Sequence, residues 1–245
     1  MRIVVAESAV AAARVVADLV ERFITSVPRP ALGLATGETM EPVFAELVWR
    51  HRKQGMRFAS VRAYLLDEYL GLDRQDPCAY RNVVHRLLVR HVDLGAGAVH
   101  GPDPHATDLD AECSRYEREL RAAPIGLQLL GIGANGHVAF NEPGSPLDST
   151  TRVVALSGRT QADNAHFFPA GQAIPTRAIT QGIATIRAAA RLVLFACGEH
   201  KADAVARAVE GPVTAEIPAS ALQLHPGVTV VLDRRASSGL ARSAS

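Results

Sequence analysis

Residues 126–144, GLQLLGIGANGHVAFNEPG, decide the fold. The stretch opens with the most apolar short run of the chain, at 126–131, which is typical of a strand buried on both faces. A loop rich in Gly, Asn and Pro follows and extends to about residue 149. In open α/β sheets, ligands bind beyond the carboxyl ends of the strands. The stretch therefore predicts a buried sheet strand that ends in a candidate binding loop.

Short apolar and β-branched runs on either side of this stretch alternate with helical patterns. Strands are predicted at 2–6, 31–35, 61–67, 99, 126–131, 151–156, 191–197 and 228–233. Helices are predicted at 8–25, from the turn at 36–39 to about 52, and at 77–91, 108–121, 159–168, 201–209 and 219–224. This alternation favours a mostly parallel sheet with helices on both faces. We therefore expect one Rossmann-like α/β domain over residues 1–235 and a frayed tail at 236–245.

The composition excludes several classes of protein. The 245 residues are 48% apolar and 21% charged, as in an ordinary globular protein. The net charge of +1 provides no global field for nucleic acid or an anionic membrane. Cys78, Cys113 and Cys197 lack the spacing of a zinc or redox pair, and Glu7 and Asp18 interrupt the apolar N-terminal segment. We expect a soluble cytoplasmic protein without nucleic-acid or membrane partners.

Two segments at predicted strand ends carry groups suited to a small anionic substrate. Thr36, Gly37 and Thr39 can offer hydroxyls and amide N–H groups to a phosphate at the start of a helix. The Lys and glycine spacing of a nucleotide-binding P-loop are missing, so the alternative is a plain turn capped by Thr36. Asp67 can act as a proton-transfer base, unless it and Glu68 form an exposed acidic pair.

The loop after the apolar strand places His137 and Glu142 five residues apart. Its glycines permit a close approach to the backbone. A carboxylate bonded to one ring nitrogen fixes the tautomer and raises the basicity of the other nitrogen. We expect His137 and Glu142 to pair, so that His137 moves a proton on a sugar oxygen. An exposed histidine in an ordinary loop is the alternative.

These segments together resemble the glucosamine-6-phosphate deaminase family, also called glucosamine-6-phosphate isomerases. The resemblance rests on GLATGETMEPVF at 33–44, YLLDEYLGL at 64–72, LLGIGANGHVAFNEPGSPLDSTTRVV at 129–154, AIT at 178–180 and LQLH at 222–225. The related 6-phosphogluconolactonases have a similar GIG-x-x-GH stem but typically lack FNEP. The resemblance implies conversion of glucosamine 6-phosphate and water to fructose 6-phosphate and ammonium, without cofactor or metal.

The resemblance also implies roles for the acid and base groups. Asp67 is expected to carry a proton between sugar C2 and C1, and His137, oriented by Glu142, to open the pyranose ring. Asn135 stands where many members have an aspartate that is counted with the histidine. Asn cannot supply the negative charge, although members with NGH at this place are also active.

For the substrate phosphate, the resemblance implies binding by Thr36, Gly37, Thr39 and Lys201. His166 stands where the family usually has an arginine that contacts the phosphate. An arginine supplies a permanent bidentate charge, which a neutral histidine cannot match. We therefore expect KM to rise with pH above neutrality, because a cationic imidazole donates from both nitrogens to the phosphate.

Two other functions stay open at this point. A 6-phosphogluconolactonase would use His137 to activate water against an ester, and would have no carbon proton for Asp67 to move. A degenerate sugar-phosphate sensor would fit the departures at Asn135 and His166. The chain ends soon after its last predicted strand, so we expect an unregulated enzyme, either a monomer or a homo-oligomer.

Overall fold

The computed structural model describes residues 1–241 and contains ten strands and seven α-helices in that range. In chain order these are β1 (Arg2–Ala6), α1 (Ala9–Ser26), β2 (Ala31–Leu34), α2 (Glu41–Gln54), β3 (Arg62–Leu65), β4 (Asp67–Tyr69), α3 (Tyr80–Leu87), β5 (Val99–His100), α4 (Leu109–Ala122), β6 (Leu127–Leu130), β7 (Arg152–Ala155), α5 (Gly158–Asn164), β8 (Arg177–Thr180), α6 (Ile183–Arg187), β9 (Leu192–Ala196), α7 (Ala202–Val209) and β10 (Val228–Asp233). Short 3₁₀ turns lie at Glu38–Met40, Val89–His91, Ala165–Phe167, Glu199–Lys201 and Pro218–Leu224.

Seven of the strands form one parallel sheet in the order β1-β10-β9-β6-β2-β3-β5. Every residue of β2, β6 and β9 is buried, as expected for central strands covered on both faces. The predicted α/β fold with a mostly parallel sheet is confirmed. After β1, which lies at one edge, the chain adds β2, β3 and β5 in one direction and then β6, β9 and β10 in the other, so the strand order reverses between β2 and β6. Such a reversal opens a crevice at the carboxyl ends of the strands.

Local sequence explains the main helices. The Ser8 hydroxyl accepts a hydrogen bond from the Ala11 amide at 3.2 Å and begins α1. The buried residues of α1 recur at helical spacing and form one apolar face, with Val16 and Val20 fully buried. Asp108 caps α4 in the same way, through the Ala111 amide at 2.9 Å.

A second, antiparallel sheet differs from the prediction. It has the order β4-β8-β7, and Thr180 of β8 pairs with both Asp67 of β4 and Arg152 of β7. The prediction of one strand over 61–67 was wrong at its end, because β3 ends at Leu65 and Asp67 begins β4. The strand expected at 151–156 is present as β7 but lies outside the parallel sheet, and β8 carries no strong local pattern.

The C-terminal segment packs against the core. Ala236 is fully buried, its amide donates to the Asp233 carboxylate at 2.8 Å, and Leu240 contacts the main core. The tail predicted to fray from residue 236 is therefore ordered where it begins, while 242–245 lie outside the described residues. No helix within 1–241 is long and apolar enough to cross a membrane.

Candidate active site

Four adjacent strands of the parallel sheet bring the predicted site residues to one edge. Lys201 follows β9, His137 follows β6, Thr36 follows β2 and Asp67 follows β3. Parallel strands end at the same edge of a sheet, so these segments meet at the crevice between β6 and β2. The structure thus gathers residues that are far apart in the chain.

Asp67 is a buried carboxylate without a hydrogen-bond partner among the described residues. The residue is 5% exposed, and no hydrogen bond from residues 1–241 reaches its side chain. Burial raises the pKa of Asp67 well above its ordinary value, and the charge of Glu68 adds to the shift. An ionised carboxylate in such surroundings is a stronger base than one in water.

Glu68 has a different environment from its neighbour. Its carboxylate accepts the amide N–H of Tyr69 at 2.9 Å, of Tyr80 at 2.8 Å and of Arg81 at 2.9 Å. Ala79, at the start of α3, provides no side-chain cap, so Glu68 performs that role. The alternative that Asp67 and Glu68 are an exposed acidic pair is wrong, because both residues are buried.

Asn135 lies between His137 and Glu142. The His137 Nδ1 donates to Asn135 Oδ1 at 2.7 Å, and Asn135 Nδ2 donates to Glu142 Oε2 at 2.9 Å. His137 and Glu142 are neighbours as expected, but their closest atoms, Nδ1 and Oε2, are 4.0 Å apart, so Asn135 replaces the expected direct hydrogen bond. The amide oxygen only accepts, so it selects the tautomer with the proton on Nδ1 and leaves Nε2 as the acceptor. Asn135 therefore orients His137 without carrying a charge.

The charge states within this group follow from burial and contacts. Burial lowers the pKa of His137 and the charge of Lys201 adds to this effect, while Glu142 opposes it. Burial alone would raise the pKa of Glu142, but hydrogen bonds from Thr160, Asn135 and Ser157 and the nearby His137 hold it below its ordinary value. At neutral pH, His137 is thus a neutral base beside an ionised Glu142.

Gly133 determines where the His137 ring can lie. A Cβ atom at this position would come within 2.2 Å of His137 Cε1. The Gly133 amide also donates to the His137 carbonyl at 2.9 Å, which closes the loop. The close approach that the glycine pattern predicts is made by the imidazole itself.

The loops after β2 and β9 have the same design. Gly37 (φ 101°) and Gly198 (φ 89°) adopt backbone conformations that favour glycine, and each precedes a 3₁₀ turn at the sheet edge. The first N–H groups of such turns have no partner within the turn and can bind an anion. Burial lowers the pKa of Lys201 in the second turn, Asp163 and Glu38 oppose this effect, and Arg159 adds to it. Lys201 is thus the central cation of a mixed-charge cluster.

His166 lies against the loop of residues 36–39. Its Nε2 is 2.8 Å from Glu38 Oε1, and the two side chains are 53% and 67% exposed. The predicted phosphate contact is therefore occupied by a carboxylate in this structure. A phosphate at this loop would compete with Glu38 for His166.

Arg159 is a further charged residue of this site that no sequence motif identifies. Its charge lowers the pKa of both His137 and Lys201, so it lies close to both groups. Its nearest carboxylate is that of Asp163, at 3.8 Å. Arg159 follows Ser157 by two residues, and the Ser157 hydroxyl donates to Glu142 Oε1 at 3.1 Å. Such tertiary contacts, which no local pattern predicts, bring Arg159 to the site.

Known proteins are similar to this chain in sequence over almost its whole length. The family of glucosamine-6-phosphate isomerases/6-phosphogluconolactonase matches residues 5–231. The glucosamine-6-phosphate deaminase of Beutenbergia cavernae is 46% identical over 242 residues, which cover 98% of this chain and 93% of that protein. The glucosamine-6-phosphate deaminase of Cutibacterium acnes is 43% identical over 241 residues, which cover 98% and 92%.

Solved structures also share the fold. A monomeric glucosamine-6-phosphate deaminase superposes with a TM-score of 0.95 at 38% identity, covering 98% of this chain and 100% of its own. The 6-phosphogluconolactonase of Trypanosoma brucei has a TM-score of 0.76 at 20% identity, with 98% of both chains covered. The second likeness establishes the fold alone, whereas the first agrees with the sequence relatives.

Proposed function

The chain belongs to the family of glucosamine-6-phosphate isomerases and 6-phosphogluconolactonases, and we propose that it acts as a glucosamine-6-phosphate deaminase. The reaction takes glucosamine 6-phosphate and water to fructose 6-phosphate and ammonium. The observation that carries the proposal is the buried, unpartnered Asp67 carboxylate at the sheet edge that also carries His137. An aldose–ketose isomerase needs a base for a carbon-bound proton as well as a group that opens the ring, whereas a lactonase needs no base of the first kind.

His137 opens the ring. Its Nε2 accepts the proton of the sugar O1 hydroxyl and returns a proton to O5. The O1–H electron pair becomes the second bond of the C1 carbonyl as the C1–O5 bond breaks. Asn135 and Glu142 support this role, because they hold the ring in the tautomer that leaves Nε2 free.

Asp67 performs the isomerisation. The ionised carboxylate removes the C2 proton, the C2–H electron pair forms the C1–C2 double bond, and the carbonyl electron pair moves to O1, which takes up a proton from the substrate's ammonium group. Return of the proton to C1 moves the double bond to C2–N and produces an iminium, which water hydrolyses to the ketone with release of ammonium. The raised pKa of Asp67, caused by burial, favours acceptance of a carbon-bound proton.

The phosphate binds at the opposite side of the crevice. Lys201 provides the main charge, and the amides and hydroxyls at Thr36, Gly37 and Thr39 accommodate the oxygens. Arg159 adds positive potential near Lys201. His166 contributes once it leaves Glu38, since a cationic imidazole can donate to the phosphate.

The proposed steps use side chains and water only. A cytoplasmic location and the lack of nucleic-acid and membrane partners stay predictions of the sequence.

Purified protein assayed with glucosamine 6-phosphate tests the proposal. We expect equal amounts of ammonium and fructose 6-phosphate, and little hydrolysis of 6-phosphogluconolactone under the same conditions. Lactone hydrolysis without ammonium release would assign the chain to the lactonases. Calorimetric binding of the sugar phosphate with turnover no faster than that of Asp67→Asn would indicate the non-catalytic sensor.

A further inference from the structure

Gln181 holds the segment that leads to Asp67. The residue is fully buried at the end of β8. Its amide N–H donates to the Leu66 carbonyl at 2.8 Å, and its Nε2 donates to the Leu65 carbonyl at 3.1 Å. Leu65 and Leu66 immediately precede Asp67, so Gln181 fixes the backbone from which the base projects.

Asn141 connects Gln181 with the loop of His137. It is fully buried, and its Nδ2 donates to the Gln181 carbonyl at 2.9 Å and to the Val138 carbonyl at 3.0 Å. Its Oδ1 accepts a hydrogen bond from Arg152 Nη1 at 2.9 Å. Val138 follows His137 directly, so one side chain links both segments.

The same region contains a strained backbone position. Ala139 has φ 51° and is the one non-glycine residue within 1–241 in the left-handed region. It lies in a turn closed by the Asn141 amide, which donates to the Val138 carbonyl at 3.0 Å. The Phe140 amide donates to Thr180 Oγ1 at 3.1 Å, and Thr180 pairs with Asp67 in the sheet. Such strain persists where surrounding contacts hold it.

We propose that Asn141 and Gln181 are positioning residues that fix the distance between Asp67 and His137. This inference rests on the proposed deaminase function, in which both groups act on one substrate. Sugar C1 is bonded to both C2 and O5, so the base and the ring-opening group must sit close together around one atom. A displacement of about 1 Å can cost about 10²-fold in rate. A lactonase that uses His137 alone does not depend on this link.

Gln128 provides a matched control. Like Gln181, it is fully buried, donates one side-chain hydrogen bond to a backbone carbonyl (Leu129, 2.8 Å), and has an Oε1 without a partner in the described structure. It lies within β6, where its side chain packs over Gly33. Gln128→Met and Gln181→Met each remove one side-chain hydrogen bond to a backbone carbonyl, but only Gln181→Met removes a bond to the segment that leads to Asp67; its backbone bonds to Leu66 and Asn141 stay.

The experiment compares Gln181→Met, Asn141→Asp and Gln128→Met in ammonium release, with glucosamine 6-phosphate carrying hydrogen or deuterium at C2. Asn141→Asp keeps an acceptor for Arg152 but replaces the two amide protons that form the link. We expect kcat of both link variants to fall about 10- to 100-fold with KM within about twofold. The isotope effect on kcat should be at least as large as in the wild type. Gln128→Met should lose similar thermal stability and keep its kcat.

The inference is overturned if Gln181→Met and Asn141→Asp fold and have the same kcat as Gln128→Met. It is also overturned if their isotope effect on kcat falls toward unity, because proton transfer is then not the step that the variants slow. If Gln181→Met does not fold, Asn141→Asp decides alone. Wild-type protein that releases no ammonium would overturn the proposed function and this inference with it. If the wild-type protein releases ammonium and the link variants keep its kcat, the inference is overturned and the proposed function stands.

Discussion

The two sides of the crevice are built differently. The acid–base side consists of Asp67, Asn135, His137 and Glu142; Asp67 is buried, and the other three form a hydrogen-bonded chain of 2.7 and 2.9 Å. The proposed phosphate side consists of the 36–39 loop, Lys201, Arg159 and His166. Its pair of His166 and Glu38 is more than half exposed, and Arg159 lies 3.8 Å from Asp163.

The contrast indicates what each side requires. Proton transfer to carbon requires fixed geometry and a base shielded from water. Phosphate binding requires positive charge, which different cations can supply at somewhat different places. The acid–base side therefore tolerates little change, whereas the phosphate side can exchange an arginine for a histidine and recruit another cation. Five substitutions test this difference.

Asp67→Asn should have the largest effect, lowering kcat by about 10³-fold or more because the base is removed. The same change should stabilise the fold at neutral pH by about 1 kcal/mol, or roughly 2–4 °C in Tm. Burial raises the folded-state pKa of Asp67. The protonated carboxyl therefore favours the folded state at low pH, and this stabilisation is lost as the pH rises through the raised pKa. Thermal melts should show the gain at pH 7.5 and none near pH 4. A variant less stable than wild type at pH 7.5 would contradict the account.

Gly133→Ala should lower kcat by about 10²-fold, since the added Cβ displaces the imidazole. Gly131→Ala is the control, because a Cβ there meets nothing within 4 Å. Steady-state ammonium release distinguishes the two variants. Equal kcat values would mean that the position of the His137 ring does not limit the reaction.

His166→Arg should lower KM about tenfold with kcat little changed, because arginine offers the phosphate a permanent, bidentate positive charge. The rise of KM with pH above neutrality should become flatter. Glu38→Gln, which frees His166 and removes a negative charge beside the phosphate loop, should lower KM a few-fold, consistent with one exposed charge pair of about 0.2–1 kcal/mol. An unchanged KM and pH profile in His166→Arg would leave phosphate binding to Lys201 and the 36–39 loop.

Arg159→Gln should raise KM about threefold to tenfold, because positive potential near the phosphate is lost. Arg207→Gln is a matched control, because Arg207 forms a comparable pair with Asp203 at 3.7 Å one helical turn away. KM measured at two salt concentrations should show a weaker salt dependence in Arg159→Gln alone. Identical behaviour of the two variants would remove Arg159 from the phosphate side.

Local patterns predict most of the fold and much of the site. Apolar runs and caps predict β6 and α1, and the family motifs identify the loops that meet at the sheet edge. The sequence does not predict the pairing of β4 with β8, because that sheet joins segments distant in the chain that have weak patterns. The five-residue spacing predicts that His137 and Glu142 are neighbours, but not that Asn135 lies between them. The position of Arg159 depends on a tertiary contact of Ser157.

Glucosamine 6-phosphate labelled with deuterium at C2 tests the central claim most directly. If Asp67 carries the proton between carbons, the wild-type protein breaks the C2–D bond while it releases ammonium. Part of the deuterium should appear at C1 of fructose 6-phosphate, because the buried carboxylate exchanges slowly with water, and Asp67→Asn should leave the label in place. Recovery of the sugar with its full C2 label, together with hydrolysis of 6-phosphogluconolactone by the same protein, would contradict the account.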